Sequence, residues 1–294
     1  MMRRAGRCIL PAAIAGLVAL VGCETERAGP AGGDGPKPLA GKQLELFVGS
    51  ASKPATEEAA AAFEKKTGCK VIRQYGGSGD MLSKMKLARR GDIYFPGSSD
   101  FMELAKREKL VVADTEKIVV YLLPAINVPA DNPKQIEKLA DLAEPGVRLG
   151  IARPDTVCVG LYAVEVLTHN GLADKVKPNI ITNAESCAKT AQLAALGTVD
   201  AILGWRVFHY WKPDKIKTIM LGPEQIPRIG YIPIVVSSFC EQPEVAQQFI
   251  DFVLSDEGKA IYRKWHYLAS PEEARKFTRP DTPVGGEWKL PEGW

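Results

Sequence analysis

Strand-like and helix-like segments alternate three times between residues 43 and 111, and this alternation limits the fold more than any other feature. The strand-like segments QLELFVG, KVIRQY and DIYF are short and rich in apolar or β-branched residues. Each is followed by a helical stretch, and the first stretch begins near Pro54 and ends at Gly68, residues that suit a helix start and a helix stop. A β-α-β-α-β-α order predicts a parallel sheet with helices on both faces.

The same pattern returns later in the chain, between the segments KIVVYLLPAINVP and IPRIGYIPIVVSS. Both segments are long, extended in character and interrupted by prolines, so they predict crossovers rather than further strand–helix units. The sequence therefore predicts an α/β fold of two lobes, each a mostly parallel sheet flanked by helices, with a cleft between them. We expect residues 42–122 and 232–294, including the C-terminal helices, to form lobe I, and residues 123–231 to form lobe II.

The N-terminus has the features of an exported lipoprotein. MMRRAGRC contains three arginines, an apolar run follows, and the segment ends in LVGC. This order is typical of a secretory signal peptide, here residues 1–22. LVGC resembles a bacterial lipobox, which implies cleavage before Cys23 and lipid on its thiol; the alternative is an ordinary signal peptide followed by a chance cysteine. Residues 23–41 are rich in Gly, Pro and Ala and predict a flexible tether. We expect a lipid-anchored protein on the periplasmic side of a bacterial membrane.

The charge balance argues against a nucleic-acid partner. Residues 1–22 hold three of the 38 basic residues and none of the 35 acidic residues, so the rest of the chain has 35 of each and no net charge. A neutral chain offers no strongly basic surface to a phosphate backbone. We therefore expect no nucleic-acid binding, and we expect the protein to act as a monomer.

Four short loops rich in serine, glycine or threonine follow predicted strands, at residues 49–54, 76–80, 153–160 and 183–187. In open α/β sheets the ligand binds at the carboxyl ends of strands, where loops meet helix N-termini. Hydroxyl and backbone N–H groups can hold an anion there without a formal positive charge. Helix capping explains each loop taken alone, but four such loops distributed over both lobes favour a shared anion site.

The order of these blocks resembles that of the periplasmic substrate-binding proteins of ABC transporters, close to the molybdate- and tungstate-binding group. The similar blocks lie within residues 43–267 and are FVGSASKPATEEAAAAFEKKTGCKV, YGGSGDMLSKMKLARRGDIYFPGSSDFMELAKREKLV, RPDTVCVGLYAVEVL, GTVDAILGW and VAQQFIDFVLSDEGKAIYRKW. The resemblance implies a solute-binding component that captures a small tetrahedral oxyanion, such as molybdate or tungstate, and delivers it to an ABC permease.

The resemblance also implies a set of ligand-binding residues: Ser50, Ser52, Ser78, Val159, Cys187 and Trp205. Ser50 and Ser78 match two hydroxyl donors, and Ser52 is a second candidate in the first loop. Val159 offers a backbone N–H group, and Cys187 lies near a further backbone donor. Trp205 stands where the family has a tyrosine, and it can donate only through its indole N–H.

Four cysteines follow the lipidation site, and an even number outside the cytoplasm suggests disulfides. Cys158 and Cys187 both fall in loops predicted to face the cleft, and three interpretations compete for them. They form a disulfide that braces lobe II, or they are small buried packing residues, or they are soft ligands of a thiophilic metal or metalloid ion, with His209 as a further ligand. In the first case Cys69 and Cys240 form the natural second disulfide; the third case gives an alternative function on the same fold.

Enzyme activity is not expected, and no cofactor is implied. The sequence contains no HExxH, GxSxG or GxxxxGK[ST] motif. A cysteine nucleophile needs a base within reach, and of the three histidines only His209 lies near a candidate loop. A redox-active periplasmic enzyme is the competing hypothesis from another class, and its mark would be a cysteine thiol with a strongly depressed pKa.

Overall fold

The structure is a computed structural model that describes residues 37–294. The predicted signal peptide, the predicted lipidation site at Cys23 and most of the predicted tether lie outside the described residues. The strands are β1 (Gln43–Gly49), β2 (Lys70–Gly76), β3 (Ile93–Phe95), β4 (Lys117–Leu122), β5 (Pro124–Pro129), β6 (Leu149–Ala152), β7 (Ile180–Ala184), β8 (Ala201–Trp205), β9 (Ile216–Met220) and β10 (Gly230–Val236). The helices are α1 (Lys53–Thr67), α2 (Ser78–Ala88), α3 (Ser99–Arg107), α4 (Cys158–His169), α5 (Ala173–Val176), α6 (Cys187–Ala195), α7 (Phe208–Trp211), α8 (Pro243–Leu254), α9 (Asp256–Lys264) and α10 (Pro271–Arg275).

The strands form two five-stranded sheets with the same topology. The first has the order β2-β1-β3-β10-β4 and the second the order β7-β6-β8-β5-β9. In each sheet the first three strands run parallel and the last two pair in antiparallel fashion. Lobe I consists of the first sheet and the helices packed on it. Lobe II consists of the second sheet and the helices packed on that sheet. Leu123 and residues 221–229 connect the two sheets. The predicted two-lobe α/β fold with two crossovers is confirmed, and each sheet is mixed.

The first helices begin and end where the sequence predicts. In α1, Pro54 lies in the first turn and Gly68 ends the helix in a left-handed conformation with φ 77°, which glycine adopts without steric cost. Strand β2 ends at Gly76 and α2 starts at Ser78, so the chain turns within one residue. A Cβ atom at Gly77 would lie 2.9 Å from the Thr156 carbonyl oxygen of lobe II. Lobe II approaches the backbone of Gly77 so closely that a side chain has no room there.

Two of the C-terminal helices, α8 and α9, complete the core of lobe I. The ring of Phe63 in α1 meets the ring of Phe249 in α8 edge-on at 5.2 Å between centroids, and both side chains are buried. Burying an aromatic side chain of this size contributes about 1.5–3 kcal/mol. Among residues 37–294, no helix is both long enough and apolar enough to cross a membrane.

The last residues of the chain, 276–294, contact both lobes. Arg107 of α3 in lobe I forms an ion pair with Glu287 at 2.5 Å. In lobe II the Lys177 ammonium lies 4.8 Å from the centroid of the Trp294 ring. It also donates a hydrogen bond to the carbonyl oxygen of Gly293. This segment therefore docks on the folded protein. Because residues 276–294 contact both lobes, they link the two lobes.

The buried carboxylate of Asp200 forms an ion pair with Arg148 within lobe II. Its carboxylate accepts hydrogen bonds from the Arg148 backbone N–H at 2.8 Å and from the Arg148 guanidinium at 2.8 Å, and its side chain is 4% exposed. Burial acts to raise the pKa of Asp200, but the hydrogen bonds and the charge of Arg148 outweigh burial and lower that pKa below its ordinary value.

We expect Asp200→Asn to lower the free energy of unfolding at pH 7 by about 1.5–3 kcal/mol. A depressed folded-state pKa stabilises the protein above the unfolded-state pKa of about 3.9 and loses that contribution as the pH falls. The difference between wild type and variant in urea denaturation should therefore shrink between pH 5 and pH 3. Asp281→Asn is the matched control, since Asp281 pairs with Arg279 on the surface, where such pairs contribute little. An equal loss in both variants would contradict the prediction.

Candidate functional site

The four loops predicted to form the site meet in pairs between the two sheets. The N–H of Gly79, at the start of α2, donates to the Thr156 carbonyl oxygen in the loop before α4 at 2.8 Å. The N–H of Ala188, in the first turn of α6, donates to the Ser50 hydroxyl after β1 at 3.1 Å. Each contact joins one loop of lobe I to one loop of lobe II. The loops that sequence analysis selected are therefore brought together at the boundary of the lobes.

Ser50 and Ser52 point in different directions. Ser50 is 1% exposed and its hydroxyl oxygen faces the N-terminus of α6 in lobe II. The Ser52 hydroxyl instead accepts a hydrogen bond from Thr56 at 2.9 Å, and Thr56 lies 3.0 Å from the hydroxyl of Tyr262. Ser52 thus belongs to a hydrogen-bond network inside lobe I, whereas Ser50 lies at the boundary.

Ser78 occupies a close-packed position beside the second lobe. Its hydroxyl accepts a hydrogen bond from the N–H of Gly97 at 2.9 Å, and its side chain is buried. A Cβ atom at Gly49 would lie 2.6 Å from the Ser78 hydroxyl, and a Cβ atom at Gly97 would lie 2.5 Å from the Cys158 sulfur of lobe II. Two glycines therefore make room for the Ser78 hydroxyl and the Cys158 thiol at one place.

Cys158 and Cys187 face each other at the N-termini of α4 and α6. Their sulfur atoms are 3.4 Å apart, and both side chains are buried. Burial raises the pKa of the Cys158 thiol well above its ordinary value, and the neighbouring Cys187 adds to the rise, although hydrogen bonds from the Ser78 hydroxyl and the Val159 N–H oppose it. A redox-active enzyme was expected to show a depressed thiol pKa, and Cys158 shows the opposite shift.

The disulfides considered from the sequence are not formed. All four cysteines of the described chain are free thiols. The Cys240 thiol donates to the Asp92 carboxylate at 3.2 Å, and the Cys69 thiol donates to the Lys70 carbonyl oxygen at 3.6 Å. The pair Cys69–Cys240, considered as the second disulfide if Cys158 and Cys187 formed the first, is not bonded either, and each of its thiols has a separate hydrogen-bond partner.

His209 is not brought to the cysteine pair. Its Nδ1 atom lies 2.6 Å from the Ile216 carbonyl oxygen of β9, and its ring lines a surface pocket together with Arg206 and Lys217. Within the part of the chain that the structure describes, no group of three or more His, Cys, Asp or Glu side chains is placed to hold a metal ion. The structure therefore does not provide the three-ligand site of Cys158, Cys187 and His209 that was considered from the sequence.

Val159 follows Cys158 in the first turn of α4, and Trp205 ends β8. The backbone N–H of Val159 acts to lower the pKa of the Cys158 thiol. The Trp205 ring is fully buried and meets the ring of Tyr162 at 4.9 Å between centroids. The indole N–H of Trp205 and the hydroxyl of Tyr162 are both buried without a hydrogen-bond partner among the described residues. Two unpartnered polar groups on rings that contact each other are a signal of a polar ligand, since buried polar groups are normally hydrogen-bonded.

A buried ionic network stands behind the site. Arg228, in the second connection between the sheets, donates to Asp100 of α3 in lobe I at 2.9 Å and to Glu165 of α4 in lobe II at 2.8 Å. Its guanidinium lies 4.1 Å from the centroid of the Tyr162 ring. Burial raises the pKa of Glu165, although the charge and hydrogen bonds of Arg228 act to lower it. The cation of Arg228 is thus committed to two carboxylates and links the lobes.

Sequence reasoning missed three contributors to the site. Tyr162 lies within a segment that carried the resemblance, but its hydroxyl was given no role. Ala188 and Gly97 contribute backbone N–H groups, and a backbone donor leaves no trace in side-chain chemistry. Only the Pro-Gly pair at the end of β3 signalled that a chain reversal brings Gly97 close to other elements.

The fold and the site define a two-lobe α/β binding protein whose polar loops meet between the lobes. The chain belongs to the bacterial extracellular solute-binding proteins, since the model of that family matches residues 44–268. Proteins of this kind are typically non-enzymatic components of transport systems. The resemblance noted in the sequence is confirmed at the level of this family.

Individual relatives agree with this assignment. The chain is 28% identical over 228 residues to a putative binding protein of Haemophilus influenzae, which covers 76% of this chain and 90% of that protein. It is 24% identical to the molybdate-binding protein ModA of Azotobacter vinelandii, over 76% of this chain and 89% of the relative. The solved structure of the periplasmic molybdate-binding protein of Azotobacter vinelandii superposes with a TM-score of 0.68 at 19% identity, over 77% of this chain and 99% of that one. At that identity the superposition shows the fold alone.

Proposed function

We propose that this protein is the solute-binding component of an ABC importer, lipid-anchored through Cys23 on the periplasmic side of the membrane, and that it holds a small oxyanion of the molybdate or tungstate type between its lobes. The observation that carries the proposal is the burial of the Ser50 and Ser78 hydroxyls at the lobe boundary, each beside a backbone N–H group. The name of the Azotobacter vinelandii relative supports the choice of anion.

The proposed binding mode needs no formal positive charge. Three helices, α2, α4 and α6, begin at this place with Ser78, Cys158 and Cys187. Helix N-termini stabilise anions through their free N–H groups and their dipoles. The hydroxyls of Ser50 and Ser78 now accept hydrogen bonds, and rotation of each O–H would let it donate to an anion oxygen. The Trp205 indole N–H and the Tyr162 hydroxyl are additional donors of this kind.

Binding couples to the arrangement of the lobes. Ser50 and Ser78 belong to lobe I, whereas Val159, Cys187 and Trp205 belong to lobe II. An anion that receives hydrogen bonds from both sets binds the closed arrangement better than an open one, and it shifts the population towards closure by that difference in affinity. A permease could then recognise the closed, loaded form. We propose that a monomer performs this role.

Thermal unfolding with a panel of anions tests the proposal. The mature chain with Cys23→Ser, which avoids lipidation, is heated with molybdate, tungstate, sulfate or phosphate. A ligand at 100 times its dissociation constant adds about 2.7 kcal/mol of stability, which corresponds to an increase in Tm of roughly 5–10 °C for a chain of this size. We expect this increase with molybdate or tungstate. Unchanged midpoints with all four anions would overturn the proposal.

We expect Ser78→Ala to weaken anion binding by about 10-fold or more, because a hydrogen bond to a charged group contributes about 1.5–3 kcal/mol. Isothermal titration calorimetry with the anion that raises the midpoint measures this loss. Ser52→Ala should leave the affinity nearly unchanged, since the Ser52 hydroxyl bonds inside lobe I. Ser238→Ala is the matched surface control. Equal affinity of wild type and Ser78→Ala would contradict the assigned role.

A further inference from the structure

We propose that the cleft takes trivalent oxo acids of arsenic or antimony, bound covalently through the sulfur atoms of Cys158 and Cys187. This inference rests on the proposed function in one respect, that the boundary between the lobes is the ligand site. It names a ligand class for which the thiol pair, rather than the serines, provides the main bonds.

The position of the thiols is the first argument. The Cys158 sulfur faces Gly97 and the Ser78 hydroxyl of lobe I, and Cys187 precedes Ala188, whose N–H contacts Ser50. The two sulfurs therefore lie among the proposed oxyanion donors. A thiol is a weak hydrogen-bond donor and adds little to the binding of an oxyanion, whereas it is a strong ligand for soft, thiophilic elements.

The distance between the sulfurs selects the geometry of the bound atom. With bonds of about 2.3 Å, the Zn–S length, sulfurs 3.4 Å apart subtend an angle of roughly 95° at the atom that joins them. A linear two-coordinate ion would need sulfurs about 4.6 Å apart by the same bond length. A tetrahedral zinc site needs two further protein ligands, and the described chain places no third His, Cys, Asp or Glu there. A pyramidal, three-coordinate atom fits the pair.

The exchange chemistry of arsenous acid suits a buried pair of thiols. Metal cations bind thiolates, so they must displace protons from both cysteines. Arsenous acid, As(OH)3, reacts with two protonated thiols without a change of charge or oxidation state. Two S–H bonds and two As–OH bonds break, two S–As bonds form, and two water molecules leave. The remaining As–OH group would lie beside the hydroxyls of Ser50 and Ser78.

The test uses the mature chain with Cys23→Ser, reduced with a phosphine, because a dithiol reductant would itself chelate arsenite. Sodium arsenite and potassium antimony tartrate are the probes, and native mass spectrometry and thermal unfolding are the measurements. We expect one adduct per chain and a rise in Tm of several degrees. Cys158→Ser and Cys187→Ser should each reduce the adduct at least tenfold, whereas the matched controls Cys69→Ser and Cys240→Ser should retain it.

Alkylation of the wild-type chain keeps the proposal testable if a cysteine variant does not fold. After incubation with arsenite, the protein is unfolded in iodoacetamide and its peptides are analysed. Cys158 and Cys187 should be protected and Cys69 and Cys240 alkylated. No adduct, or equal alkylation at all four sites, would overturn the inference. If molybdate or tungstate still stabilises the wild-type chain in that case, the proposed function stands; if no probe stabilises it, both proposals fail.

Discussion

Replacing Arg228 by leucine is expected to lower the free energy of unfolding by about 3–5 kcal/mol, the usual cost of removing one partner from a buried ion pair. Arg228 is 4% exposed, and it neutralises Asp100 of lobe I and Glu165 of lobe II. Without the guanidinium, two buried carboxylates remain with no cation between them. The cost arises from these unpaired charges and not from the loss of the attraction alone.

The pH dependence of the loss distinguishes this cause from a simple packing defect. Burial already raises the pKa of Glu165, and removal of Arg228 should raise it further. A carboxyl group with a raised folded-state pKa binds more protons when folded, so stability falls as the pH rises through that pKa. The deficit of Arg228→Leu should therefore be largest at pH 7 and smaller at pH 5. A packing defect would give the same deficit at both.

Urea denaturation at pH 7 and pH 5 measures both effects. Arg279→Leu is the control, because Arg279 pairs with Asp281 at the surface and such pairs contribute about 0–1 kcal/mol. Adding Asp100→Asn and Glu165→Gln to Arg228→Leu removes both carboxylates and should restore part of the stability. A loss below 1 kcal/mol for Arg228→Leu would show that the network is not the link between lobes described above.

This network also shows what sequence analysis could not supply. Arg228 is separated from Glu165 by 63 residues and from Asp100 by 128 residues. A single sequence carries no signal for pairing at such separations, since each residue alone is typical of a solvated charge. The same limit explains the insertion of β10 between β3 and β4 in the first sheet, because strand neighbours are decided by tertiary contacts.

Local chemistry, in contrast, was sufficient for the elements themselves. Pro54 and Gly68 bound α1, and Pro124 marks the point at which the chain leaves the first sheet for the second. These signals are steric restrictions on the backbone of one residue, so they act the same way in any surroundings. The order of strands and helices could therefore be predicted from the sequence, and so could the crossovers.

The candidate site was predictable only where side chains carry its chemistry. The serine and glycine loops after strands indicated the region, and the family resemblance implied Ser50 and Ser78 within it. The structure brings both residues to the lobe boundary. His209 is only four residues from Trp205, but the turn into α7 directs it to a surface pocket instead. The parity of the cysteine count favoured disulfides, whereas the distances show one close pair of thiols and two separate ones. The number of cysteines in a sequence does not determine the distances between their sulfur atoms.

Gly97→Ala should weaken anion binding by roughly 5- to 150-fold, the equivalent of the 1–3 kcal/mol typical of overpacking. A Cβ atom at Gly97, in lobe I, would lie 2.5 Å from the Cys158 sulfur in lobe II. This contact exists only when the lobes are together, so the added methyl group opposes closure. The same Cβ atom would also lie 2.8 Å from Ala51 of lobe I. A smaller part of the steric destabilisation is therefore present whether the lobes are open or closed.

Titration calorimetry with the bound anion measures the loss of affinity, and small-angle X-ray scattering measures closure. We expect the wild-type chain to become more compact with the anion and Gly97→Ala to remain more extended at the same concentration. Adding Cys158→Ala removes the sulfur atom that the new methyl group meets, and it should recover part of both the affinity and the compaction. If Gly97→Ala binds and contracts like the wild type, Gly97 does not lie against Cys158 in the loaded protein. Recovery by Cys158→Ala would instead show that the contact between residue 97 and the Cys158 sulfur limits how closely the lobes approach. A ligand stabilises closure only by its differential affinity for the closed state, so a steric obstacle to closure lowers the measured affinity.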